Sequence, residues 1–156
     1  GDGALLDVLA PAFEKVIAVD RSEAQLERAR ARVAARTFTN VELRKSELGM
    51  LDIHDADVVF ASRLLHHAPR PGDREKQLAR VGRAVVIIDY ARHDDESMRD
   101  EADLWLGFES EELRRFAREA GLVDIDVIRL PAAWCGKGKD AHLPWQVLIG
   151  KRNEKP

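Results

Sequence analysis

Apolar residues recur along the chain in blocks whose spacing changes character, and the changes mark the elements. Leu5, Leu6, Val8, Leu9 and Phe13 fall within residues 4–13 and predict a largely buried helix. Val16, Ile17, Ala18 and Val19 form an unbroken apolar run closed by Asp20, the pattern of a strand covered on both faces of a parallel sheet. Ser22 then reads as an N-cap, with Gln25 three positions on to complete a capping box. Leu26, Ala29 and Val33 supply the apolar stripe of the helix that follows, while Arg28, Arg32 and Arg36 line a solvated face. Residues 40–47 and 57–62 read as strands, residues 73–81 as a polar helix, and residues 84–88 as the most apolar strand, ending at Asp89 and Tyr90. In residues 111–120, Leu113, Phe116, Ala117 and Ala120 fall on one helical face, with Ser110 as the expected cap and Glu111 and Glu112 at the positive end of the dipole. Residues 122–130 and 145–151 close the chain as two strands, on which Trp134 and Trp145 are expected to pack. Alternation of strand and helix predicts a mostly parallel α/β sheet, and two adjacent closing strands predict an antiparallel hairpin at its edge.

Composition narrows the class. With 156 residues, 45% hydrophobic and 34% charged, the chain has the size and balance of one globular domain. Twenty-five basic against 28 acidic side chains give a formal charge of −3, which argues against a dedicated nucleic-acid binder. No apolar run approaches the length of a membrane span. The single cysteine, Cys135, excludes an intrachain disulfide framework and a cysteine-cluster zinc site, so a reducing compartment, the cytoplasm, is expected.

Two glycines one residue apart, Gly1 and Gly3, precede the first helix, and such a pair lets a ligand approach the backbone closely. Asp20 lies at the carboxyl end of the next apolar run, where an acid can accept hydrogen bonds from both ribose hydroxyls of an adenosine ligand. A dinucleotide fingerprint would place a third glycine where Leu6 stands, which disfavours a nicotinamide cofactor.

On these residues the chain resembles the class I S-adenosylmethionine-dependent methyltransferases. Gly1, Asp2 and Gly3 look like the last part of their glycine-rich motif; Asp20, followed by Arg21, matches the ribose-binding acid; and Ser46, Glu47 and Leu48 resemble the stretch that meets the adenine. Residues 57–69, which include Ala61, Ser62, His66 and His67, look like the fourth strand and the segment where cofactor and acceptor meet. The resemblance implies a Rossmann-like, doubly wound, mostly parallel sheet with a C-terminal antiparallel hairpin. It also implies that residues 1–156 are one S-adenosylmethionine-binding domain whose first strand lies before Gly1. Short joins near Gly49 and Gly82 raise the further expectation that segments are missing there. Residues 93–108 are more narrowly similar to methyltransferase domains fused to ArsR-type winged-helix regulators, which implies a possible DNA-binding domain before Gly1.

The implied activity is methyl transfer to a small acceptor, giving S-adenosylhomocysteine; the alternative is a domain that senses cofactor or product without turnover. His66 and His67 are the candidate general bases, against the plainer reading that one bonds backbone and the other is solvated. Tyr90 and Trp105 are candidate acceptor-binding residues, with Phe108 beside Trp105 as an apolar lid. His93 with Asp94 and Asp95 would need His66 or His67 to bind a metal, but no spacing supports this and a helix N-terminal acidic cluster explains them, so no metal is expected. Cys135 reads as a spectator thiol. No membrane partner is expected, and a homodimer is compatible with the sequence.

Overall fold

The structure, a computed structural model, describes residues 3–136 and 138–154. The chain divides into two compact units, residues 1–52 and residues 53–156.

In the first unit, α1 (Leu6–Ala12) leads into β1 (Val16–Asp20), α2 (Glu23–Arg36) and β2 (Val41–Lys45). β1 and β2 pair in parallel, from Val16 opposite Val41 to Asp20 opposite Lys45. Pro11 sits within α1, and the Asn40 amide donates to the Ala10 and Phe13 carbonyls, each at 2.8 Å, so the helix end is not left unsatisfied. Ser22 caps α2 as expected, accepting from the Gln25 N–H at 3.4 Å. The returning half of the capping box is absent, because the Gln25 Oε1 is buried without a hydrogen-bond partner. The arginine face of α2 is only partly solvated: Arg32 and Arg36 both reach Asp7 on α1, at 2.9 and 3.2 Å.

The second unit contains β3 (Ala56–Ser62), α3 (Pro71–Val81), β4 (Gly82–Tyr90), α4 (Ser110–Glu119), β5 (Leu122–Arg129) and β6 (Trp145–Arg152). Its sheet runs β3-β4-β6-β5, parallel between β3 and β4 and antiparallel on both sides of β6. The closing hairpin therefore inserts its second strand beside β4 and leaves β5 outermost. A 3-10 turn over Leu48–Met50 leads toward β3, and α3 ends at Val81 with β4 starting at Gly82. Val85, Ile87, Leu113 and Leu148 are fully buried and fill the core between the sheet and its helices.

Three local expectations change. The N-cap of α4 is Glu109, whose N–H donates to Glu112 at 3.0 Å, while the Ser110 hydroxyl turns to Gln146 at 3.2 Å. Trp145 packs in the core as expected, but Trp134 is 73% exposed because it ends a 3-10 turn outside the hairpin. Phe108 is core rather than lid, 1% exposed and bridged to Ala91. Among the described residues no helix is long and apolar enough to cross a membrane.

Candidate functional site

In the first unit the polar features gather at the carboxyl ends of β1 and β2. Asp20 is the last residue of β1; its carbonyl accepts from the Ser46 N–H at 3.1 Å, and its carboxylate accepts from the Ser22 N–H at 2.8 Å. Arg21 follows it on the surface. Glu47 is exposed and Leu48 half-buried where β2 turns away. Gly3 adopts a φ of +85°, and a Cβ there would lie 3.1 Å from the Cα and Cβ of Ala29, so only glycine lets the chain lie this close to α2. Gly1 and Asp2 lie outside the described residues.

In the second unit the carboxyl ends of β3 and β4 meet the start of β6. Ala61 is buried and Ser62 exposed at the end of β3. Arg63, at a left-handed φ of 58°, continues the pairing through its N–H to the Ile88 carbonyl at 2.8 Å. A 3-10 turn over Leu65–His67 then buries His66 and leaves the His67 side chain 45% exposed.

Asp89 organises this turn. It is fully buried and accepts from the Leu65 N–H at 3.0 Å and the Tyr90 N–H at 2.8 Å, while His66 Nδ1 lies 2.8 Å away. A carboxylate acceptor places the His66 proton on Nδ1 and directs Nε2 toward Asp103, whose Oδ1 is 3.5 Å distant. Asp103 is itself buried, and its Oδ2 has no hydrogen-bond partner. Burial pushes its carboxyl above the usual carboxylate range, against the pull of the His66 and His67 charges. His67 Nδ1 lies 3.0 Å from the Ala102 carbonyl and 3.6 Å from Asp103 Oδ1.

Tyr90 stacks on His66 at 4.5 Å between centroids and meets Trp145 edge-on at 5.1 Å. Its hydroxyl donates to Asp140 at 2.5 Å, and burial together with this bond drives the phenol well above its ordinary value. Asp140 is held further by Arg63 at 3.4 Å, and its carbonyl accepts from the Trp145 indole at 3.1 Å. The segment after residue 102 folds back over the turn. Leu104 and Trp105 both donate to the His66 carbonyl, at 2.9 and 3.1 Å, and the Trp105 indole donates to Ala68 at 2.8 Å. Gly107, at φ +75°, permits this path, since a Cβ would strike the Ala91 carbonyl.

Of the residues expected from sequence, the structure thus groups Asp20 with Glu47 and Leu48, and His66 with His67, Tyr90 and Trp105. Asp95 caps the 3-10 turn over Glu96–Glu101 and pairs with His142 at 2.7 Å. Cys135 is buried beside Tyr90, Met98, Leu143 and Trp145. Asp89, Asp103, Asp140 and Arg63 were not expected. Asp89 carried a legible signal, an acid closing an apolar strand as Asp20 does; the other three carried none.

The sequence model of a family described as a methyltransferase domain matches residues 1–87. No curated protein gives a match. Among solved structures, a SAM-dependent methyltransferase from Aquifex aeolicus is 22% identical with a TM-score of 0.72, over 97% of this chain and 78% of that one. The YcgJ protein of Bacillus subtilis is 15% identical with a TM-score of 0.73, over 99% and 89%. A phosphoethanolamine N-methyltransferase from Haemonchus contortus, in complex with phosphomonomethylethanolamine and S-adenosylhomocysteine, is 15% identical with a TM-score of 0.77, over 99% and 47%. At these identities the likeness establishes a shared fold.

Proposed function

Because this chain belongs to the methyltransferase-domain family, we propose that it transfers a methyl group from S-adenosylmethionine to a small-molecule acceptor, releasing S-adenosylhomocysteine. The observation that carries this reading is the family match, which takes in both Asp20 and His66. The Haemonchus protein, seen with S-adenosylhomocysteine and a small phosphorylated amine, supports a small acceptor. Residues 1–156 are read as one such domain.

The first unit fits an adenosine ligand. Asp20 is an acceptor-only group at a strand's carboxyl end, suited to two hydroxyl donors of a ribose. Arg21, Glu47 and Leu48 are assigned to the adenine side, and Gly1, Asp2 and Gly3 to the loop that meets the cofactor through backbone. Ala61 and Ser62, at the end of β3, are assigned to the cofactor as well. When bound, S-adenosylmethionine supplies an electrophilic sulfonium methyl. The protein's work is then to align an acceptor, exclude water and, where the acceptor carries a proton, receive it. His67, half-exposed, is assigned as the proton acceptor; His66, buried against Asp89, positions it. Trp105 shields the acceptor, and Tyr90, its hydroxyl committed to Asp140, supplies an aromatic wall.

Calorimetry with S-adenosylmethionine and S-adenosylhomocysteine tests the cofactor assignment. Both should bind, and Asp20→Ala should weaken both on the order of 100-fold, the worth of two charge-assisted hydrogen bonds. Absence of binding, or full affinity in the variant, overturns it. Turnover against a panel of small amines, phenols and thiols separates transfer from sensing. The sensing reading, coupled to a DNA-binding domain before Gly1, rests on the resemblance of residues 93–108 and predicts tighter product binding without turnover.

A further inference from the structure

His66, His67 and Asp103 offer nitrogen and oxygen atoms that all lie within 4.8 Å of one another. Neither histidine is adjacent to Asp103 in sequence; the turn after β3 and the loop after residue 102 bring them together. The spacing of the atoms is informative. His66 Nε2 and His67 Nδ1 stand 3.5 and 3.6 Å from the same oxygen, Asp103 Oδ1. Both separations exceed the usual hydrogen-bond distance of about 2.9 Å. They are close to the roughly 3.3–3.4 Å between two ligand atoms that each sit about 2.0–2.1 Å from a common tetrahedral ion.

We propose that His66, His67 and Asp103 form a site for a divalent transition-metal ion, Zn2+ being the ion that two imidazoles and one carboxylate favour, with a fourth position left for water or a ligand. Two independent observations support it. The Asp103 side chain is 1% exposed, and its second oxygen, Oδ2, has no hydrogen-bond partner, an expensive state that a cation relieves when the carboxylate holds it through both oxygens. The far nitrogen of His66 is held by the buried Asp89 carboxylate, the arrangement that orients imidazole ligands toward metals. Ligation exchanges the contact between His67 Nδ1 and the Ala102 carbonyl for the metal, and the exposed half of that ring leaves it room to turn. The site does not need S-adenosylmethionine, but it takes up the His67 lone pair, so the proton-accepting role assigned to His67 above belongs to the ion-free chain and not to the ion-loaded one.

The test is titration of the chelator-treated full chain with Zn2+ by calorimetry and with Co2+ by visible absorption. A single ion per chain should bind, and Co2+ should show the intense bands of a tetrahedral site. His67→Ala and Asp103→Asn should weaken binding on the order of 100-fold, and Asp89→Asn by about 10–100-fold. His142→Ala, on the separate exposed pair with Asp95, should leave it unchanged. Circular dichroism of the metal-free variants checks folding; His67→Ala, at a half-exposed position, decides the matter if Asp103→Asn unfolds. Lack of stoichiometric binding overturns the proposal. So does binding that survives both His67→Ala and Asp103→Asn, or that is lost in His142→Ala.

Discussion

The two units carry acids at the ends of apolar strands, Asp20 on β1 and Asp89 on β4, and use them in opposite ways. Asp20 is partly open, and its carboxylate accepts from the backbone of the residues that follow it, Ser22 among them. Asp89 is sealed and binds three partners, two of them on the turn after β3. Under the proposed function, the first acid receives the hydroxyls of a ligand from outside the chain. The second is arranged to hold the chain's own parts in place. The same residue type after the same pattern is thus left partly open in one unit, where the proposal assigns it to recognition, and sealed for internal order in the other.

That contrast can be broken by substitution. Asp89→Ala should have the largest effect, lowering stability by about 3–5 kcal/mol, because it strands two buried N–H groups and a buried imidazole. Urea unfolding measures it; a loss below 1 kcal/mol would remove Asp89 from its structural role. Glu75 is the second unit's counterexample, a fully buried acid whose two oxygens have no hydrogen-bond partner. Burial pushes its carboxyl up to about 8 from an ordinary 4.5. Below pH 4.5 the folded and unfolded chains both keep the proton, so no penalty exists. As pH rises toward 8 the unfolded chain ionises first, and stability falls, levelling off above. The penalty reaches about 3 kcal/mol at pH 7. Glu75→Leu should therefore raise stability on the order of 2–3 kcal/mol at pH 7 and hardly at all near pH 4. Identical pH profiles for the two proteins would refute this.

Asp20→Ala reverses the pattern. Its expected cost in stability is about 1 kcal/mol, because its bonds are local and partly exposed to water, while ligand affinity falls on the order of 100-fold. A thermal melt and a binding isotherm on one sample separate the two effects, and a collapse of the fold would erase the contrast drawn above. Smallest of all, Trp134→Ser should change stability by no more than about 0.5 kcal/mol, since the ring is 73% exposed. A larger change would show that this indole packs on something in solution.

What was legible in sequence follows the same division. The strands and helices were readable because each buries a face whose period is set by its own backbone, and Asp20 was readable because its neighbours Ser22 and Ser46 lie at strand and helix ends the pattern already marked. The grouping of His66 with Asp103 and of Tyr90 with Asp140 was not, because each acid lies in an irregular segment with no period, and only the tertiary fold decides which way it points. Ser110 was misread as a cap for a related reason. Glu109 satisfies the helix end equally well, and the serine hydroxyl is drawn to Gln146 on β6.

The insertion of β6 beside β4 also sets an order of events. Tyr90 pairs with Trp145, and Asp140 reaches Tyr90 only when the last hairpin has closed. During synthesis the most apolar strand must wait, one edge open, until residues 145–152 have emerged. Such a long-range pairing closes slowly and leaves a sticky edge exposed meanwhile. The protein's yield in a cell should depend on how quickly β6 arrives.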